Sequence, residues 1–260
     1  MKNLNIEESK AFIRGLNGTL IKQKTRDFFC RTASTIQLLQ RIDIYKLTDA
    51  QKEEITKISD GTKQREYILQ NGKLFKTTKE IKSHSFVIGF LQTLEAAMAH
   101  PYGSAPDNVI IYNTSGNIDT YPASGGNSTT LMALESPAGT SNDQEITYGI
   151  LAGTGTVVPY TMGSRLQNKL NHGTNANNLQ YGPTTVGAAG VVGANVDLII
   201  ARVFVNASGG ALTVTEIGLV MTTLNISNIP QYLLIAWDAV NQSIANGEVA
   251  IVTYDIRTTI

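Results

Sequence analysis

The chain has 260 residues, 42% of them hydrophobic, and its 21 basic side chains balance 21 acidic ones. That length holds one large β domain or two modest ones with a real core, and the apolar share lies slightly below the ~45–50% usual for a globular chain. The basic residues are scattered among acids and form no stripe, which argues against a direct nucleic-acid role.

Charge is unevenly placed. Residues 1–100 carry 17 basic and 11 acidic side chains, and the remainder 4 and 10. Each part can simply be a solvated surface; alternatively, the opposite signs meet between subunits, because complementary fields guide assembly. Cys30 is the single cysteine, so no intrachain disulfide is expected, in keeping with synthesis in a reducing cytosol. The first residues hold no apolar signal core. No run approaches the ~18 apolar residues that cross a bilayer, so no membrane role is expected.

Residues 1–33 are polar and weakly patterned. An arm of this kind frays alone and is expected to be held by neighbouring subunits. From Ser34 to Lys46 the apolar spacing fits helix and strand equally. Thr48 followed by Gln51 reads as a capping box that opens a short helix, ended by Asp60-Gly61. Arg65 to Gln70 and Lys73 to Thr77 alternate around Asn71-Gly72, which predicts a β-hairpin with a type I′ turn. Phe86, Phe90 and Leu94 recur at helical spacing within 85–99, so a helix is expected there, stopped before Pro101.

Beyond residue 101 the composition shifts to Gly, Ser, Asn and Thr, with a short strand predicted over 108–112 and long polar loops around it. The expected division is therefore an arm (1–33), an α+β region of helix, hairpin and helix (34–101), and a β domain (102–260). Strands are predicted at 146–152, 178–182, 196–205, 211–220, 231–237 and 248–257, with a flexible connection at 187–193. Short strands with Gly-rich turns and no helices between them predict an antiparallel β-sandwich, Greek-key or jelly-roll-like.

Both faces of 196–205 are apolar, which marks a central strand covered on both sides. Taken as a hairpin with 211–220 across the loop Asn206-Ala-Ser-Gly-Gly210, it sets Arg202 and Glu216 diagonally on one face, and a structural ion pair is expected. The apolar phase slips after Glu216, beside Gly218, which predicts a β-bulge.

Chemical motifs are sparse. His84, His100 and His172 show no ligand spacing. Cys30 has no signalled partner base. Gly153-Thr-Gly155 lacks the third glycine and the helix of a phosphate loop. Asp143 and Glu145 lack the alternation of a calcium loop. No catalytic residue, metal or cofactor is expected.

Six stretches carry a resemblance: Tyr148-Gly-Ile-Leu-Ala-Gly-Thr-Gly155, Asn171-His-Gly173, Leu179-Gln-Tyr-Gly182, Arg202-Val-Phe-Val-Asn-Ala-Ser-Gly-Gly210, Thr213-Val-Thr-Glu-Ile-Gly-Leu219 and Asn246-Gly-Glu-Val-Ala-Ile-Val-Thr-Tyr254. Over these, 146–260 resembles β-domains of structural proteins of tailed bacteriophages. The resemblance implies a non-enzymatic virion component present in repeated copies, made in the host cytoplasm. Its expected partners are copies of itself and other virion proteins of capsid, portal or tail. Phe86, Phe90, Leu94, Tyr112 and Tyr121 are the candidate interface. The alternative is a carbohydrate- or receptor-binding module that uses the Tyr and Asn loops of 112–130.

Overall fold

A computed structural model describes residues 36–78, 81–82, 109–121, 134, 146–156, 158–159, 163–225, 227 and 229–259. The arm 1–33 and the expected helix 85–99, with Phe86, Phe90 and Leu94, lie outside the described residues.

The ambiguous run after Ser34 is a strand, β1 (Ile36–Lys46). Its alternation explains why: Ile42 and Ile44 enter the main core, whereas Tyr45 packs into a second one. Helix α1 (Asp49–Lys57) starts as expected, with Thr48 and Gln51 forming both halves of the capping box. Helix α2 (Gly61–Asn71) replaces the first half of the predicted hairpin. Asp60, expected to end α1, caps α2 by accepting from the backbone N–H groups of Thr62 and Lys63. Gly61, Gln64 and Ile68 then fall on one buried face at spacings of three and four. The cap and the buried helical face decide the segment, and Tyr67-Ile68-Leu69, three consecutive apolar residues, lacks the strict alternation of a half-buried strand. Gly72 is a helix C-cap at φ −81°, not a type I′ turn residue; it is required because a Cβ would press on the Ile68 carbonyl. Strand β2 (Lys73–Thr77) pairs with β1 instead of with 65–70, and β3 (Ile81–Lys82) adds to the same side of β1.

Next come a hairpin of β4 (Val109–Tyr112) and β5 (Ile118–Tyr121), then β6 (Gly149–Gly153), β7 (Gln180–Val186), β8 (Gly190–Val192), β9 (Asn195–Val205), β10 (Leu212–Leu224), β11 (Pro230–Ile244) and β12 (Glu248–Thr259). Part of the expected flexible connection at 187–193 is thus β8, joined to β9 by a two-residue turn at Gly193 (φ 62°).

The protein is mainly β, a sandwich of antiparallel sheets. The larger sheet runs β2-β1-β12-β9-β7, with β3 on β1 and β8 on β9; the smaller runs β11-β10-β6. Eleven residues of β1 pair with β12, so strand pairing crosses the sequence boundary expected near residue 102. Ile42, Ile200, Phe204 and Val252 of the larger sheet meet Val214, Ile217, Leu219 and Ile235 of the smaller in one core. On the outer face, α1 and α2 lay Ile55 and Ile68 over Tyr45, Val203, Val249 and Ile251. Burial of each such side chain contributes about 1.5–3 kcal/mol.

Strand β9 is central, as its apolar faces require: Ile200 and Phe204 enter the inter-sheet core, and Val203 the helix-covered one. The predicted β9–β10 hairpin does not form. The edges of β9 are taken by β12 on one side and by β7 and β8 on the other, and β10 lies between β11 and β6. Residues 206–210 instead cross from one sheet to the other. Asn206, fully buried, fixes that corner: its side-chain amide donates to the carbonyls of Gly210 (2.9 Å) and Ile244 (2.7 Å), and its Oδ1 accepts from the Ser208 N–H. The Gly247 N–H donates to the Asn206 carbonyl, so the β11–β12 connection is pinned to the same corner.

Candidate interaction surfaces and buried polar sites

Separate sheets place Arg202 and Glu216 away from the expected hairpin diagonal, and each is held by backbone groups. Arg202 Nε donates to the Gly182 carbonyl on β7 (2.7 Å), and one terminal nitrogen donates to the carbonyls of Tyr148 (3.2 Å) and Ile150 (2.9 Å) at β6. The Arg202 side chain therefore ties the larger sheet to the edge strand of the smaller one. Two further side chains of β7 do the same. The Ile150 N–H donates to Thr184 Oγ1 (3.2 Å), and the Tyr181 hydroxyl donates to the Ala152 and Leu170 carbonyls. Burial pushes the Tyr181 phenol well above its ordinary range. An open strand edge is a row of unpaired donors and acceptors; along β6 that row is satisfied by side chains from the facing sheet and by residues 168–170.

Glu216 sits at the bulge. The β10–β11 register slips between Val214 and Glu216, one residue before the expected place, and again between Leu219 and Val220. Its buried carboxylate accepts from the backbone N–H groups of Gly155 (3.1 Å), Gln167 (3.0 Å) and Asn168 (2.7 Å), and from the Trp237 indole (3.1 Å). Gly153 and Gly155 leave the room, since a Cβ on either would overlap the carboxylate. The Gly153-Thr-Gly155 turn thus cradles an anion, but one supplied by the chain itself.

A third polar group was not anticipated. The Arg257 guanidinium binds both oxygens of Asp197 (2.7 and 2.9 Å) and also Asp255 (2.7 Å), on the outer face of the larger sheet. These hydrogen bonds hold the Asp197 carboxyl below its usual range. The signal in the sequence is the i, i+2 spacing of Asp255 and Arg257, which puts both on one strand face; that Asp197 lies opposite Arg257 is decided by the pairing of β9 with β12. Within the sandwich, Tyr254 donates to Asp238 (2.8 Å) across the two sheets. Burial first, and the neighbouring carboxylate second, push the Tyr254 phenol well above its ordinary range.

Of the expected interface residues, Tyr112 is exposed at the end of β4, and Tyr121 closes the pairing with Val109 on β5. Asn113 organises the intervening loop by accepting from Ser115 and Asn117. It also donates to Gln231, and the Thr114 N–H donates to the Tyr232 carbonyl, which docks the hairpin on the start of β11. Tyr148 stacks on Tyr232 at 6.0 Å beside it. Tyr112 and Ile118 on the hairpin and Ile229 before β11 expose large apolar surfaces.

A cleft of about 300 Å³ opens between the end of α1 and β7, lined by Ile58, Gln64, His172, Tyr181 and Val205. His172 Nδ1 accepts from the Tyr181 N–H (3.0 Å), a positioning role for the one described histidine. Among the described residues no group of three His, Cys, Asp or Glu side chains is placed to hold a metal ion, and no helix is long and apolar enough to cross a membrane. No protein family, curated protein or solved structure matches the chain.

Proposed function

We propose that the chain is a non-enzymatic structural component of a phage virion, one that self-associates and binds other virion proteins as a capsid decoration or a neck or tail connection. The observation that carries this reading is the exposure of large apolar side chains at the margins of the sandwich. Tyr112, Ile118 and Ile229 are exposed at the docked hairpin, and Leu74 and Phe75 at the β2 edge. Exposed apolar surface gathered in patches marks contact with other proteins. The residues that resemble phage β-domains support the same reading, because several of them build the frame: Gly155 and Glu216 form the carboxylate cradle, and Asn206 the corner. A native mass measurement, alone and with purified particle components, tests it. Oligomers and incorporation into particles are expected; a strictly monomeric protein absent from particles would overturn it.

A carbohydrate- or receptor-binding module is the second reading. The exposed Tyr112 and the Tyr148–Tyr232 stack at one end of the sandwich favour it, since tyrosines offer an apolar face with a polar tip. Glycan binding by the full chain, lost in Tyr112→Ala, is its test.

A further inference from the structure

Strands β8 and β9 form an arm whose composition differs from that of the opposite edge of the larger sheet. Residues 187–194, Gly-Ala-Ala-Gly-Val-Val-Gly-Ala, are all exposed, and none is charged. Among the described residues β8 pairs with β9 alone, which leaves its outer row of backbone groups unpaired there. Val191 pairs with Val196 on one face of the arm, and on the other Val192 lies opposite Asn195, with Ile199 further along β9. Val191 is 74% and Val192 61% exposed.

The opposite edge of the same sheet is guarded. β2 carries Lys73 and Lys76, and its pairing with β1 is broken by a bulge; edge lysines and bulges are devices that prevent strands from adding on. β8 has neither. Gly190 adds an independent sign. It has no positive φ, and a Cβ built on it meets nothing within 4 Å. A glycine in a strand weakens it and can mark close approach by another backbone, and among the described residues no group makes that approach.

We propose that this arm is an interface strand and that its occupant is the β8 strand of a second copy, paired antiparallel about a two-fold axis so that the larger sheet continues across the contact. Two-fold pairing sets a strand against itself. An uncharged strand tolerates this, whereas β2 would place lysine opposite lysine, which is unfavourable. The inference rests on the self-association proposed above and names the surface used.

The test is native mass spectrometry of the full chain over a concentration series, for the wild type, Val191→Lys, and Val158→Lys at an exposed valine outside the arm as a control. Val191→Lys is expected to weaken the dimer at least tenfold with an unchanged melting temperature, and Val158→Lys to leave it intact. A second measurement does not depend on lost binding: Val192→Cys in a Cys30→Ser background is expected to give a disulfide-linked dimer on oxidation. Oligomers insensitive to Val191→Lys, together with no cross-linking through position 192, would overturn the arm as interface while leaving self-association standing. A wild type that stays monomeric would overturn both.

Discussion

Glu216 shows how one side chain can hold an irregular segment in place. A carboxylate that accepts three backbone N–H groups and an indole stabilises through charge-assisted bonds. Glu216→Ala leaves those donors buried without an acceptor and is expected to cost roughly 3 kcal/mol or more, read by urea denaturation followed by circular dichroism. Glu216→Gln keeps one oxygen and should lose less. Tyr254 makes a prediction at alkaline pH. Its pKa in the folded protein is raised by burial and by Asp238, so above about pH 10 the unfolded chain releases the phenolic proton while the folded one retains it. Stability is therefore fully present below that pH and falls as pH rises toward the folded value. In Tyr254→Phe that part of the alkaline loss should vanish, as denaturation midpoints measured from about pH 8 to about 11 will show.

The second helix is where local pattern and tertiary packing disagree. Residues 65–70, expected as a hairpin strand, are helical, with Ile68 fully buried under the outer face of the larger sheet and Leu69 48% exposed. Ile68→Ala is expected to cost about 2–5 kcal/mol, within the range for emptying a buried aliphatic site, whereas Leu69→Ala should stay within about 0.5 kcal/mol. Chemical denaturation of the two variants checks this contrast; the helical face itself is marked by Gly61, Gln64 and Ile68, buried together at spacings of three and four. The two helices do more than cover a sheet. They shield Val203 and Val249, and so let β9 and β12 be apolar on both faces.

At the scale of the whole molecule two exposed surfaces differ in character. One rim carries the β4–β5 hairpin, docked by Asn113 on β11, with Tyr112 and Ile118 exposed. The β8–β9 arm lies at an edge of the larger sheet and presents an unguarded strand. If β8 edges join copies, the hairpin rim stays available for other partners. Substitutions then separate the two contacts: Tyr112→Ala should leave the mass of the isolated protein unchanged and reduce incorporation into particles, whereas Val191→Lys should act on the mass first. Parallel native mass and particle-incorporation measurements distinguish these outcomes.

The sequence alone determined the strands from β9 to β12, the two-sided burial of β9, the capping box at Thr48 and the slip beside Glu216. Each follows from alternation or turn chemistry within a few residues. Tertiary structure decided what depends on which edges meet. Local alternation cannot tell a hairpin from a corner that crosses between sheets, so Arg202 and Glu216, one short loop apart in sequence, belong to different sheets and bind different backbones. The partnership of β1 with β12 joins strands about 200 residues apart, and nothing in either strand alone specifies that choice. The same holds for Asp197 and Arg257. The sequence supplies the charges, and the register of the sheet brings them together.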